Sequence, residues 1–487
     1  MFIKNQKLTT NANLLFWLIL GIVFFILFAP NLLREGMFVD GVWYAAISNN
    51  LSNGIGTFWA TSFTETNSKD FFGHPPLVFG IQSLFFDVFG SSFWTERIYC
   101  FVVFILTCLL IAKIWRISFN SNSDYQRFMY LPLLLWMVNF QTFFAYVNNV
   151  LETTLTLFIL GATYLLLRAL KPEEKKATLY AFLSGFLIFL GFMSKGFVAL
   201  FPFAIPFFYF LIYKIKVQDF IIKTLIILTT FLGSLFLILS IEEAHNFFIK
   251  YIDGQLIKSL LGENTENLRG SRFYIMGALL KGLPVALAIA LLTLIASYYK
   301  NSRKCILKKT TNKSALFYLC IGISGSLPIV LSMKQAGYYL TTTLPFFSIA
   351  LALLIVPSFK FVIEKLENKA NVLQKSFRVV YILLGFSALL AFKNINTIDK
   401  RDKVKIEFIK STTPLIPANS IVSLRTKKPD NSLYGLYQRY RFVALDTIST
   451  NYNDFLIIEK DIDTIRLNNY RLVDQVENVK YSLYSKN

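Results

Sequence analysis

Leu14 to Leu33 reads LLFWLILGIVFFILFAPNLL, twenty residues without a charged side chain. A helix of that length is enough to cross the hydrocarbon core of a bilayer, about 30 Å. Ten more predominantly apolar runs follow, at about 94–115, 127–147, 150–169, 177–194, 196–213, 220–241, 273–298, 314–333, 337–357 and 377–393. No single soluble core takes up so many. With 55% hydrophobic residues and fifty phenylalanines among 487, dividing the length by a soluble-domain size gives no useful domain count. The expected class is an all-α polytopic membrane protein with about eleven transmembrane helices. The basic N-terminus lacks a small-residue cleavage site ahead of its long apolar run, so that run reads as a retained span.

The net charge of +20 would suit a nucleic-acid binder if it were gathered on one soluble face. Instead Lys and Arg fall in short loops between the apolar runs. The segment 75–90, PPLVFGIQSLFFDVFG, opens on two prolines and carries Gln82, Ser83 and Asp87 within one helical arc, which suits an interfacial helix rather than a span. With it held out of the membrane, loops on the N-terminal side and their flanks contain twenty-three Lys and Arg against six Asp and Glu. The positive-inside rule assigns that side to the cytoplasm. Loops at 34–93 and about 242–272, and the tail beyond 393, are then extracytoplasmic. In the tail, SIVSLR, RFVAL and DFLIIEK alternate as strands do, between turn-rich stretches. The organisation expected is a transmembrane domain, 1–393, including both loops, followed by a small extracytoplasmic α/β domain, 394–487. Cys100, Cys108, Cys305 and Cys320 lie in or beside apolar runs without metal-ligand spacing, so free thiols are expected.

A few polar residues stand where they need a reason. Asp40 lies just beyond the outer end of the first span, and Trp43, Tyr44, Ile47 and Leu51 follow at the spacing of an amphipathic helix lying on the membrane. It is either an ordinary helix-start acid, favoured by capping and the helix dipole, or a carboxylate held at the bilayer surface for chemistry. His74 precedes two prolines, and HPPL makes a rigid corner. His74 and His245, the chain's two histidines, both fall outside, where imidazole binds phosphate or metal or simply occupies a surface turn. Glu152 stands at the outer end of the fourth span, where an acid is costly unless it faces protein, water or a cation. Lys195 in MSKGF, Arg269 and Arg272 in NLRGSRF, and Lys334 also occupy outer ends, against the trend of the other basic residues. Headgroup anchoring explains any one of them; together they would neutralise a phosphate or diphosphate leaving group.

The order and spacing of four features resemble a known family: an acid after the first span, HPPL before an FG…ER stretch, SKGF between the fifth and sixth spans, and GYYLTTTLPF at 337–346. That family is the GT-C superfamily of integral-membrane glycosyltransferases, particularly the branch similar to protein O-mannosyltransferases and the lipid A aminoarabinose transferase. The resemblance covers roughly residues 14 to 360. It implies inverting transfer of a sugar from a polyprenyl-phosphate donor to a hydroxyl or phosphate of a lipid, glycan or protein acceptor. The location implied is the outer face of the cytoplasmic (inner) membrane. By the same resemblance Asp40 is the catalytic residue, His74 and Glu152 line the site, and Lys195, Arg269, Arg272 and Tyr338 or Tyr339 approach the donor phosphate. Two departures matter. Gly41 follows Asp40 where many members have Glu, and His74 stands where the aminoarabinose branch often has Lys, so neither branch's sugar carries over. A divalent metal is the one cofactor left open, and no nucleic-acid partner is expected.

The rival from another class is a transporter or flippase of a polyprenyl-linked or anionic lipid. Against it, the middles of the spans carry almost no ionisable residues, which proton-coupled carriers need, and no internal repeat is found. A ligase- or polymerase-type enzyme would carry its key residues in a large late loop, whereas the main loop here is early. A non-catalytic scaffold for the C-terminal domain is the remaining reading.

Overall fold

The computed structural model describes residues 2–119, 123–172, 174–261, 271–300, 309–447, 453–460, 462, 469–473 and 479–487. The chain divides into two compact units: Met1–Pro30, Val102–Tyr146 and Leu151–Lys393 form one, and Asn31–Phe101, Val147–Val150 and Asn394–Asn487 form the other.

The first unit is helical. Among the described residues, eight helical stretches are long and apolar enough to cross a membrane, or ten if each of two bent pairs is one span. Eleven were expected from the sequence. One bend, of 83°, separates Asp124–Met137 from Phe140–Val147. At the break, Asn139 Oδ1 accepts a hydrogen bond from the Gln141 backbone N–H at 3.0 Å and so caps the second helix. The other bend, of 46°, falls before Pro284, whose ring nitrogen has no hydrogen to continue the ladder. The difference from eleven lies in Ala177–Tyr213, counted as one 37-residue stretch. Within it the helix Ala177–Lys195 ends at Gly196, and a 3-10 segment, Gly196–Ala204, leads into the helix Ile205–Tyr213. Gly196 has φ +73°, and a Cβ there would meet the Tyr251 hydroxyl at 2.3 Å. A Cβ on Gly191 would lie 3.2 Å from that of Ala199. Eight residues of straight helix separate atoms by about 12 Å, so the chain turns back at Gly196.

In the second unit the early loop and the C-terminal tail fold together. Asp399 N–H donates to the Glu35 carbonyl and Glu35 N–H to the Thr397 carbonyl, each at 2.8 Å, and Lys410 pairs with Glu35 at 2.6 Å. The helix Val39–Ser52 packs between the helices Leu77–Phe89 and Asn431–Arg441. Trp43 stacks on Phe63 at 3.9 Å and donates to the Asn431 carbonyl at 2.8 Å. Gln438 donates to Asn50 at 3.0 Å. Arg439 and Glu96, both buried, pair at 2.6 Å. The tail supplies a five-stranded sheet in the order β2-β1-β3-β5-β4, from Ile421–Arg425, Ala444–Asp446, Phe455–Glu459, Tyr470–Leu472 and Tyr481–Lys486 in chain order. β1 pairs in parallel with β2 and β3, whereas β5 runs antiparallel to both its neighbours. The α/β character read from three strand-like runs is therefore present, with two further strands at its end.

Two readings of the early loop change. Val39–Ser52 is a helix as expected, but it does not present one face to a membrane: Gly41, Val42 and Tyr44 through Asn50 are all buried. The small residues Ala45, Ala46 and Ser48 let neighbours approach from several sides. On Leu77–Phe89 the polar arc is split and partly turned inward. Gln82 and Ser83 are buried, Asp87 is exposed, and Leu84 and Val88 are 62% and 74% exposed.

Candidate functional site

Asp40 lies in the first turn of Val39–Ser52, and the cap position belongs to Phe38, whose side chain cannot accept a hydrogen bond. The carboxylate is therefore not the side-chain cap of this helix. One turn on, and on the same face, the Tyr44 hydroxyl and His74 Nε2 are hydrogen-bonded at 3.1 Å, and their rings meet edge to face at 5.7 Å. The HPPL corner ends at Pro76, and the helix Leu77–Phe89 follows directly. His74 is thus tied through Tyr44 to the helix that carries Asp40.

The departure at Gly41 has a steric cause. A Cβ there would sit 1.9 Å from the Asn148 carbonyl oxygen, so no residue larger than glycine fits after Asp40. Segment 147–150 holds this approach in place. Asn148 Oδ1 accepts from the Phe38 N–H at 2.7 Å, and Asn149 Nδ2 donates to the Gly41 carbonyl at 3.1 Å. Gln82 donates to Asn149 at 2.9 Å and accepts from Ser48 at 3.1 Å. Arg97 fixes the same region from the other side, donating to the carbonyls of Arg34 at 3.1 Å, Val147 at 2.5 Å and Gly36. Sequence reasoning missed Asn148, Asn149 and Arg97 as supports. Their signal was present: consecutive asparagines beside Glu152, and an arginine at the start of an apolar run.

The second group lies in the helical unit. Glu152 and Lys195 form an ion pair with side chains 2% and 9% exposed. The Lys195 ammonium lies 4.8 Å from the ring centre of Tyr339 and 5.8 Å from that of Tyr338, distances at which a ring face attracts a cation. Phe144 stacks on Tyr338 at 5.8 Å. The structure thus gathers Glu152, Lys195, Tyr338 and Tyr339. Arg272, in the same unit, is exposed: it donates to the Leu331 carbonyl at 2.9 Å, and its own carbonyl accepts from Gln335 at 2.7 Å. Arg269 lies outside the described residues. His245 is exposed on the helix Glu242–Tyr251. Cys100, Cys108 and Cys320 are free thiols. Among the described residues no group of three or more His, Cys, Asp and Glu side chains is placed to hold a metal ion.

Two solved structures of ArnT from Cupriavidus metallidurans share this architecture end to end. The apo form superposes with a TM-score of 0.63 at 14% identity, over 97% of both chains. The form bound to undecaprenyl phosphate gives 0.60 at 14% identity, over 96% of this chain and 98% of that one. The chain has the fold of these ArnT structures. In sequence, residues 73–241 match the dolichyl-phosphate-mannose-protein mannosyltransferase family. A curated relative, undecaprenyl phosphate-alpha-4-amino-4-deoxy-L-arabinose arabinosyl transferase 1 of Proteus mirabilis (strain HI4320), is 29% identical over 191 residues. That match covers 38% of this chain and about a third of the relative's length, 32%. The family match contains His74, Glu152 and Lys195 and begins beyond Asp40.

Proposed function

We propose that this multi-pass membrane protein is a glycosyltransferase that moves a sugar from a polyprenyl-phosphate donor to an acceptor hydroxyl or phosphate. Its place would be the outer face of the cytoplasmic membrane. The observation that carries the reading is Asp40 in the first turn of its helix, one turn from a tyrosine hydrogen-bonded to His74, in a fold shared along its whole length with a structure bound to undecaprenyl phosphate.

In the reaction, the acceptor oxygen attacks the anomeric carbon as the bond from that carbon to the phosphate oxygen breaks, with inversion. A hydroxyl acceptor must lose its proton as it attacks, and a positioned carboxylate provides general-base catalysis. Asp40 is assigned that role, with His74 and Tyr44 orienting the acceptor. An acceptor phosphate arrives already ionised and asks for no base, so dependence on Asp40 also reports which acceptor is used. The leaving phosphate carries the developing charge, and cations placed for it lower the barrier. Lys195, with Arg272 and Arg269, is assigned to that phosphate, and Tyr338 and Tyr339 hold the Lys195 ammonium.

The test is transfer by purified full-length protein from a panel of radiolabelled polyprenyl-phosphate sugars, with Asp40→Asn alongside the parent. Loss of a general base typically costs about 10²- to 10⁴-fold in rate, and Asp40→Asn is expected to fall in that range while still binding donor. If the variant transfers to a hydroxyl acceptor within a few-fold of the parent rate, the catalytic assignment of Asp40 fails. If the parent instead moves labelled lipid across a reconstituted bilayer without transferring sugar, the enzyme reading itself fails.

A further inference from the structure

The helical unit holds a second concentration of charge, apart from Glu152 and Lys195. A cleft of about 500 Å³ opens beside the ends of the helices Trp94–Ile117 and Leu151–Ala169, lined by Lys113, Arg116, Tyr164, Arg168, Lys171 and Glu174 among others. Among the described lining residues, four cations face one carboxylate. That carboxylate is taken: Arg168 donates to Glu174 through two nitrogens, at 2.9 and 2.6 Å. Among the described residues Lys113, Arg116 and Lys171 have no acid at ion-pair distance, and the Lys113 ammonium lies 5.9 Å from the Tyr164 ring centre. Burial, and after it the neighbouring Arg168, hold Lys171 below the ordinary lysine range. Cations that serve only to orient a membrane protein gain nothing from being gathered in a concavity, where they repel one another. An anion seated there removes the repulsion.

The shape of the approach indicates which anion. Ile105, Leu106 and Leu109 are exposed on the helix Trp94–Ile117, and Lys113 and Arg116 continue the line four and seven residues after Leu109, also exposed. From Ile105 to Arg116 this face runs about 16 Å along the helix, apolar first and cationic last. A free phosphate would use only the cationic end. A phospholipid would use both, and basic pockets between transmembrane helices are known headgroup sites. We propose that this cleft binds the phosphate headgroup of an anionic phospholipid, with an acyl chain lying along Ile105, Leu106 and Leu109. The proposal stands independently of the sugar-transfer reading.

The full-length protein in nanodiscs of equal phosphatidylglycerol and phosphatidylcholine, examined by native mass spectrometry, tests it. The parent is expected to retain phosphatidylglycerol in preference. Lys113→Gln with Arg116→Gln and Lys171→Gln is expected to lower that preference by about fivefold per cation removed. The charge-keeping set Lys113→Arg, Arg116→Lys and Lys171→Arg should hold it, which separates lost charge from a disturbed fold. No preference in the parent, or an undiminished one in the neutralised protein, overturns the proposal. In a competition arm, inorganic phosphate binding as tightly as short-chain phosphatidylglycerol would make the occupant a free phosphate and overturn the lipid assignment.

Discussion

Glu152 and Lys195 pose a question that one double substitution answers. Both are nearly inaccessible and paired, and removing one partner of a buried ion pair costs about 3–5 kcal/mol because the other charge is left uncompensated. Glu152→Gln and Lys195→Met are each expected to destabilise on that scale, and the combined variant should regain most of the loss in thermal unfolding. Turnover should stay low in the two variants that lack Lys195, because Lys195 is assigned to the donor phosphate. A combined variant that folds and transfers sugar like the parent would reduce the pair to a structural one. A second residue-scale case lies in the tail. Burial raises the Asp430 carboxyl pKa, but Lys405 at 2.7 Å, the Tyr481 hydroxyl at 2.9 Å and the Leu433 N–H at 3.2 Å outweigh it, so the group sits below its ordinary value. A depressed carboxyl stabilises the fold above its unfolded value, about 3.9, and the contribution fades as pH falls through the folded value. The gap in unfolding midpoint between the parent and Asp430→Asn should therefore narrow as pH falls below about 4. A gap that does not change with pH would show that the charge contributes nothing.

At the scale of elements, the helix Val39–Ser52 is positioned by a contact that tolerates no side chain. Gly41→Ala would drive a methyl group to 1.9 Å from the Asn148 carbonyl oxygen. The helix must then move away from segment 147–150, carrying Asp40 with it, and a displacement of about 1 Å in a positioned group can cost 10²-fold in rate. The expected result is insertion at reduced stability with turnover lowered at least that far. Gly233 on the helix Val217–Leu239 is the control: nothing lies within 4 Å of a Cβ there. Gly233→Ala gains about 1 kcal/mol of helix propensity and should unfold no earlier than the parent. Equal behaviour of the two variants would mean that the approach of Gly41 to Asn148 does not govern the position of Asp40.

For the whole molecule, connectivity constrains topology more firmly than a count of spans. Segments 31–101 and 394–487 share one compact unit, so both are expected on one side of the membrane. If the candidate span Ala12–Leu32 separates the N-terminus from that side, the number of crossings between the termini is expected to be odd. The turn at Gly196 is where the additional crossing is expected. Reporter fusions after residue 120 and at the C-terminus should therefore report opposite sides, the first cytoplasmic as the basic loops require. Fusions that report the same side would remove both the odd count and the charge-based orientation.

The sequence by itself determined the class of the protein and much of its cast. Apolar run length fixed the spans, since a helix must satisfy its own backbone in lipid. The exceptions to apolar or charge patterning picked out Glu152 and Lys195 before their pairing was visible, and alternation along 420–460 marked three strands. These signals are local, carried by neighbours in the chain. Tertiary structure decided what depends on residues far apart. The tail joins the early loop because Glu35 meets residues 397–399 and Arg439 meets Glu96, contacts spanning more than three hundred positions. The helix after the first span is buried rather than laid on a surface because partners from 77–89 and 431–441 cover it, which its amphipathic spacing could not reveal. Gly41, which read as a departure in the sequence, is the only residue small enough to let that helix approach the Asn148 carbonyl. A steric requirement of this kind exists only once the two backbones have met.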